Sequence, residues 1–477
     1  MAPGAFQKAK DRTRAPRDPS SYLLNRNVRS KPLHVVGMDG RWVHLDDGRK
    51  ILDASGGAGV MCIGAKDERV RKAYNKQFKT GVMYATPLDF TTDAGIALAW
   101  YLIETTYDDL VHMVAYNSGS EALEGALKMA RQYHAYEKDT PEPERDIFIA
   151  RKSSYHGATL GALGVSGHTL RREKFESLLP KNTRFVSPCY EYRDLKGRSI
   201  AQYVEDLAQE LDREIRAAGQ NRVAGFIVEP VVGAALGCVP AVAGYLKAMQ
   251  DVCEKHGVLF ILDEVMCGLG RTGSMHAYQQ HEGVVPDILL LGKGLAGGYA
   301  PISAMLVGEK IATALQLGSG AFSHGHTFQN HAGSCAIALA VQDIIYKDDL
   351  IENVRVRGAE LEKMLRAAFA DHPFVGDIRG MGLFWALEFV KDKASKHPFD
   401  PRKAIAWELH ERGLARLDGV YIYPGTGSFG GFAGDHIMLA PAFNVTMEEL
   451  QDMVDRLVEV VNEVFDEEFR SLPLSKL

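Results

Sequence analysis

Between residues 74 and 343 six short apolar runs, at 111–116, 146–150, 225–229, 258–263, 287–291 and 302–307, are separated by stretches of helical periodicity. That alternation leaves few architectures open, because strands interleaved with helices pack as a mostly parallel sheet with the helices laid over it. The middle of the chain is therefore expected to be an α/β domain. Ahead of it, "VVGMDGRWVHLDDGRKILDAS" carries Asp39-Gly40 and Asp47-Gly48, dipeptides that close tight hairpins, so a small antiparallel sheet is expected there. Behind it, one long helical stretch over 332–371 leads to "RGMGLFWALEFV" and a last amphipathic helix over 447–469, which read as a separate α+β unit. No internal repeat or low-complexity linker interrupts the 477 residues, a length that suits two or three structural domains.

Composition narrows the partners. A formal net charge of -6 is small for this length, so no overall field favours nucleic acid or an anionic membrane, and small molecules are the expected partners. No run approaches the about eighteen apolar residues of a membrane span, and no apolar signal core stands near the N-terminus, so a soluble protein not secreted by that route is expected. Cys62, Cys189, Cys238, Cys253, Cys267 and Cys335 lie far apart without a C-x-x-C pair. They read as reduced, mostly buried thiols rather than a zinc site or a disulfide framework. Residues 8–31, rich in Lys, Arg, Pro and Ser, read as an exposed arm, and Pro16 and Pro19 with two aspartates break any amphipathic presequence helix. Ser475-Lys476-Leu477 matches the tripeptide read by the peroxisomal import receptor; it is an address in a eukaryote and has no meaning in a bacterium, where a cytoplasmic protein is expected.

The stretch "DILLLGKGLAGGYAP" (287–301) poses the functional question. Gly292, Gly294 and Gly297 spell G-x-G-x-x-G, the fingerprint of a dinucleotide-binding turn, while Lys293 inside it could instead be a Schiff-base lysine. A dinucleotide turn needs a helix starting at the glycines and a second parallel strand after a crossover of about a dozen residues or more. Here the next strand pattern, "ISAMLVG", begins directly after Pro301, so the crossover has no room, although Glu309 lies near where a ribose-binding acid would be sought. The lysine reading must then stand on other residues.

"VLFILDEV" is a buried strand whose apolar run ends in Asp263, and "DILLLGK" ends near Lys293. Ligands of open α/β sheets bind at the carboxyl ends of the strands, so this carboxylate and this amine should face one crevice. A third strand, "VHMVAY", runs into "NSGSEALEGALKMARQYH", where Ala122, Leu123, Ala126, Leu127 and Ala130 recur at helical spacing. Ser118, Gly119 and Ser120 thus sit at a helix N-terminus whose free N–H groups and positive dipole end suit a phosphate. Each element has an ordinary reading, the aspartate as a turn or cap and S-G-S as an N-cap. Together an amine, a carboxylate and a phosphate cup describe pyridoxal 5′-phosphate. The lysine bonds the aldehyde, the aspartate keeps the pyridine nitrogen protonated so that the ring accepts electrons, and the cup holds the phosphate. A burial-depressed pKa would make the lysine a usable nucleophile and proton carrier.

"LFILDEVMCGLGRTG" followed by "PDILLLGKGLAGGYAP" resembles the signature of the class III pyridoxal-phosphate aminotransferases of fold type I. The resemblance extends in the right order to "NSGSEALEGALKMARQYH", "SYHGATLGAL", "VEPVVGA", "HGHTFQNH" and "RGMGLFWALEFV", nearly the whole chain, and is closest in style to the omega-aminotransferase branch. It implies a large domain with a mostly parallel seven-stranded sheet covered by helices and a smaller α+β domain built from both chain ends. On that pattern residues 1–32 form a flexible arm, 33–73 the first part of the small domain, 74–343 the large cofactor-binding domain and 344–477 the rest of the small domain. It also implies roles. Lys293 would hold the cofactor covalently and carry the proton between Cα and C4′, and Asp263 would pair with the pyridinium nitrogen. Tyr155 would stack on the ring with Val265 against the opposite face, and Ser118, Gly119 and Ser120 would bind the phosphate. Thr327 would reach the phosphate of the neighbouring subunit, which implies an obligate homodimer with shared sites. His156 and Glu229 match motif positions and read as supporting or structural. The implied reaction is ping-pong transfer of an amino group from an amine, of (S) or L configuration, to an oxo acid such as pyruvate.

Some positions depart from the pattern. Relatives acting on ornithine or γ-aminobutyrate place a glutamate, paired with a switching arginine, in the segment matching "EPVVGAALG"; here that position is Ala234. Met266 follows "DEV" where many relatives carry glutamine. Both changes imply a roomier, less polar donor pocket suited to a hydrophobic or long-chain amine. Arg416 falls about where omega-aminotransferases keep a carboxylate-binding arginine, but "GTGSFGGFAGDH" reads as extra glycine-rich loop, which leaves an exposed loop arginine as the alternative. Met61 and Leu88 are expected to line the pocket. Two other functions stay open: a different pyridoxal-phosphate reaction on the same scaffold (an aminomutase, racemase or decarboxylating transaminase) and, on the glycine pattern alone, a nicotinamide dehydrogenase.

Overall fold

The computed structural model describes residues 22–219 and 221–470; most of the expected arm, and Ser475-Lys476-Leu477, lie outside the described residues. Seven strands form the central sheet: β1 (His112–Tyr116), β2 (Ile147–Arg151), β3 (Thr183–Val186), β4 (Val223–Val228), β5 (Leu259–Asp263), β6 (Ile288–Leu291) and β7 (Ser303–Val307). Their order is β1-β7-β6-β5-β4-β2-β3, and β7 alone runs against its neighbours. Six of them are the apolar runs of the sequence, each displaced by two residues or fewer. The seventh, β3, leaves no such run to read, because "TRFV" is a short edge strand that fully buries only Val186.

Strands β4 to β7 are buried along their whole length, as strands covered on both faces must be. Alternation splits their side chains between two cores. Phe260 and Leu262 join the core shared with the helix Tyr245–His256, while Ile261 joins the one beneath Gly119–Gln132. Register then places the chemistry. Asp263 pairs with Leu290, so the end of β5 and the turn that carries Lys293 emerge at one edge of the sheet. The return from β6 to β7 is antiparallel and needs no crossover helix, which removes the dinucleotide reading of the glycine pattern.

Both chain ends meet in a second sheet. Val35–Asp39, Trp42–Leu45 and Lys50–Asp53 form the expected hairpins, with Gly40 and Gly48 at φ 55° and 89°, and Asp418–Tyr421 adds parallel to the last of them. A third sheet holds Val375–Met381, Phe384–Phe389, Ala433–Leu439 and Tyr423–Phe429 in that order. A boundary between residues 73 and 74 falls inside the helix Glu68–Lys79, which packs on Ala332–Lys347. Among the described residues no helix is long and apolar enough to cross a membrane, and all six cysteines are free and buried.

Two expectations need correction. The single helix over 332–371 is two, Ala332–Lys347 and Leu350–Phe369, because Asp349 takes φ 50°, which a right-handed helix cannot pass. The "GTGSFGGFAGDH" segment is no loop but an antiparallel hairpin, Tyr423–Phe429 with Ala433–Leu439. Its glycines serve close packing there: any side chain at Gly425 would run into the His436 ring.

Candidate active site

A cavity of about 300 Å3 opens at the carboxyl edge of β1, β5 and β6, bordered by Asp263, Lys293 and the Ser118-Gly119-Ser120 turn. Tyr155, Val265, Ala234 and Met266 complete the part of its wall that the sequence foresees. Lys293 begins a single turn, Lys293–Leu295, at φ 41°, a left-handed conformation that costs a side-chain-bearing residue energy and persists where the surroundings enforce it. Its amine donates to the Ala58 carbonyl oxygen at 2.7 Å. Burial pushes that amine down to about 8; the charges of Asp263 and Glu229 oppose the fall, and those of Arg171 and Arg271 add to it. Only the neutral amine attacks an aldehyde. Capture of cofactor by the apoenzyme, followed by stopped-flow absorbance, should therefore accelerate with rising pH through a midpoint near 8. A midpoint above about 10, the range of a free lysine, would mean that the amine is solvated.

Asp263 closes β5 and is buried. One carboxylate oxygen accepts the Val265 N–H (3.0 Å), and the other accepts His156 Nδ1–H (2.8 Å). The helix Gly119–Gln132 supplies the other pole. The Ser118 hydroxyl oxygen caps it by accepting the Glu121 N–H (3.3 Å), and the Ser120 hydroxyl oxygen accepts the Ala158 N–H (2.9 Å), tying the Tyr155 loop to the helix start. Gly119 has to be small: a Cβ there would lie 2.8 Å from Val265 Cγ1, so a larger residue would push Val265 out of place. Glu229 also borders the cavity. Its two oxygens accept the N–H groups of Tyr155 (3.1 Å) and Gly233 (3.0 Å), and burial raises its pKa.

Polar groups at this cavity that lack partners among the described residues include the N–H groups of Gly119 and Ser120, which the helix itself cannot satisfy, and the buried Nε2 of His156. An anionic phosphate suits the first two, with the dipole of a fourteen-residue helix behind them. The residues present thus fit pyridoxal 5′-phosphate.

Four expected residues are not brought to this cavity. Arg416 follows the helix Ile405–Ala415 and ion-pairs with Glu463 (3.0 Å) and Glu459, both on Met447–Arg470, so its guanidinium is committed away from the site. Met61 lies just outside the wall, which its neighbour Val60 joins instead. Leu88 and Thr327 are exposed and touch no part of the cavity within one chain. Sequence reasoning missed Asn117, Pro301 and Ile302 in the wall. Asn117 directly follows β1 and was within reach of the same strand-end rule that singles out Asp263. It also missed Arg171, whose guanidinium lies 4.2 Å over the Tyr155 ring, and His168, edge-on to that ring at 6.3 Å. No spacing announces those two, since they arrive on a one-turn helix, Thr169–Arg172, by tertiary packing.

The sheet order and the cavity at its carboxyl edge define a pyridoxal-phosphate enzyme of fold type I. Residues 23–461 match the family Aminotransferase class-III, and the chain belongs to it. It is 46% identical over 436 residues to an aminotransferase of Gibberella zeae, covering 91% of this chain and 84% of that protein. Among solved structures, an (S)-enantioselective omega-transaminase from Thermomicrobium roseum aligns with a TM-score of 0.84 and 32% identity, over 91% of this chain and 93% of that one. An amine transaminase from an uncultivated Pseudomonas species, in its pyridoxal-phosphate-bound form, aligns with a TM-score of 0.85 and 30% identity, over 94% and 99%. The protein is an aminotransferase, and its cofactor is pyridoxal 5′-phosphate.

Proposed function

We propose that the protein moves an amino group from a hydrophobic or omega-amine donor to a small oxo acid such as pyruvate. The observation that carries the donor reading is the wall itself. Val60, Val231, Ala234, Met266 and Ile302 are apolar, and the two carboxylates present are engaged, Asp263 by His156 and Val265 and Glu229 by backbone N–H groups. No acid remains in the wall for a second amino group of the donor, so apolar bulk is what the cavity selects. The cofactor supplies an aldehyde for the amino group and a ring that withdraws electrons. Lys293 Nζ, whose pKa burial brings down to about 8 so that a sizeable neutral fraction exists near that pH, takes the proton from the donor carbon and returns it at the cofactor side. Asp263, buried at the end of β5, would hold the ring nitrogen of the cofactor, and Tyr155, whose backbone N–H donates to Glu229, would cover its ring.

The enzyme is further proposed to act as a homodimer. Phe78, Leu88, Phe90 and Trp100 are large, apolar and more than half exposed, and Phe328, beside Thr327, packs on Tyr84 of the same region. Exposed apolar area of this kind marks an interface, and Leu88 and Thr327 would reach an active site only across it. Sedimentation should give twice the chain mass.

A donor screen tests the reaction. The visible absorbance of the holoenzyme should bleach with a hydrophobic amine and return with pyruvate, releasing the carbonyl product and alanine. Bleaching that pyruvate never reverses, or an isomerised amine as the product, would overturn the reading in favour of another chemistry on this scaffold.

A further inference from the structure

We propose that Arg171 anchors the carboxylate of the oxo-acid substrate. The inference rests on the reading that the acceptor is an oxo acid. A carboxylate entering an apolar cavity has to meet a cation or lose its hydration without return. The neighbouring guanidinium groups are engaged elsewhere. Arg271 donates to the carbonyls of Leu383 and Pro441, and Arg379 to those of Leu236 and Gly237 while pairing with Asp377 and Glu388. Arg151 is buried and does not border the cavity; it lies over the Tyr245 ring and donates to the Glu229 carbonyl, and its Nε and one terminal nitrogen have no partner among the described residues. Arg172, the next residue, donates to the carbonyls of Leu163, Gly164 and Ser166 and pairs with Glu176. Arg416, expected to play this part, is held by Glu459 and Glu463.

Arg171 differs from all of these. Its guanidinium carbon lies 4.2 Å over the ring of Tyr155, a residue of the cavity wall that Arg171 itself stands next to rather than in, and among the described residues its side chain has no carboxylate or carbonyl partner. A guanidinium held over an aromatic ring without hydrogen-bond partners has N–H groups left for a planar, two-pronged carboxylate. Its charge, like that of Arg271, adds to the fall of the Lys293 pKa. His168 does not compete, because burial and the Arg171 charge push its pKa down to about 4 and leave it neutral. The turn that carries Arg171 is also braced: the tip of the 423–439 hairpin packs on it, and any side chain at Gly431 would run into Thr169. The segment that blurred the position of Arg416 in the sequence thus supports the arginine that replaces it.

The test compares kcat/KM for pyruvate and for propanal, an acceptor without a carboxylate, in Arg171→Leu, Arg171→Lys and Arg416→Leu holoenzymes with one neutral amine donor. Arg171→Leu should lose roughly ten- to hundredfold on pyruvate, through KM, and several times less on propanal, with the donor half-reaction and the absorbance band retained. Arg171→Lys should recover part of the loss, and Arg416→Leu should leave pyruvate untouched. Equal losses on both acceptors would reduce Arg171 to a support for Tyr155 and overturn the proposal, as would a pyruvate-selective loss in Arg416→Leu alone. An unaltered enzyme that accepts propanal but no oxo acid would refute the acceptor reading, and the anchor with it, before any variant is made.

Discussion

Lys293→Ala should cut turnover by about a thousandfold or more while the protein still folds and retains pyridoxal 5′-phosphate noncovalently. The amine has two tasks in one place, holding the cofactor and carrying the proton, and positioned acid–base catalysis alone is worth about 10² to 10⁴. What it leaves behind is intact. Asp263, the Tyr155 ring and the N–H groups at Gly119 and Ser120 belong to other elements and do not depend on the Lys293 side chain. The checks are steady-state assay with saturating amine and the cofactor content after gel filtration. Turnover near that of the unaltered enzyme would move the catalytic amine to another residue. Partial rescue by added methylamine would confirm that a free amine is what the variant lacks.

Asp263→Asn should lower kcat by about 10² to 10³ with little change in Tm. The amide has the same shape and can still accept the Val265 N–H, and its NH2 can donate to His156 Nδ1 once that ring carries its proton on Nε2, so the end of β5 and the wall around it keep their form. The charge is lost, and with it the means of keeping a protonated ring nitrogen in a buried position. The rate of the donor half-reaction in a single turnover separates this from a binding defect. An unchanged rate would show that the negative charge at 263 takes no part.

These two residues were legible because they obey a rule that operates at the level of sequence. Where an apolar run ends in a polar residue, that residue lies at the carboxyl edge of a parallel sheet, and register here brings the ends of β5 and β6 level. The Ser118 turn was legible for a similar reason, since Ala122, Leu123, Ala126 and Ala130, all buried, mark the helix behind it. What escaped depends on tertiary contact. β3 has no apolar run because it is an edge strand. The hairpin at 423–439 looked like loop because its glycines answer to the bulk of His436 on the paired strand and of Thr169 far off in the chain. The left-handed turn of Lys293 has no composition signal, since the strain falls on a residue chosen for its amine. The surroundings of Arg416 and Arg171 were illegible for the same reason. Only packing reveals that one is spent on Glu459 and Glu463 and that the other rests on Tyr155.

The central claim is that the lysine between β6 and β7 is the one that holds the cofactor. Borohydride reduction of the holoenzyme, followed by peptide mapping in a mass spectrometer, tests it most directly. A phosphopyridoxyl group on Lys293 is the expected result, and a label on any other lysine, or on none, would contradict it.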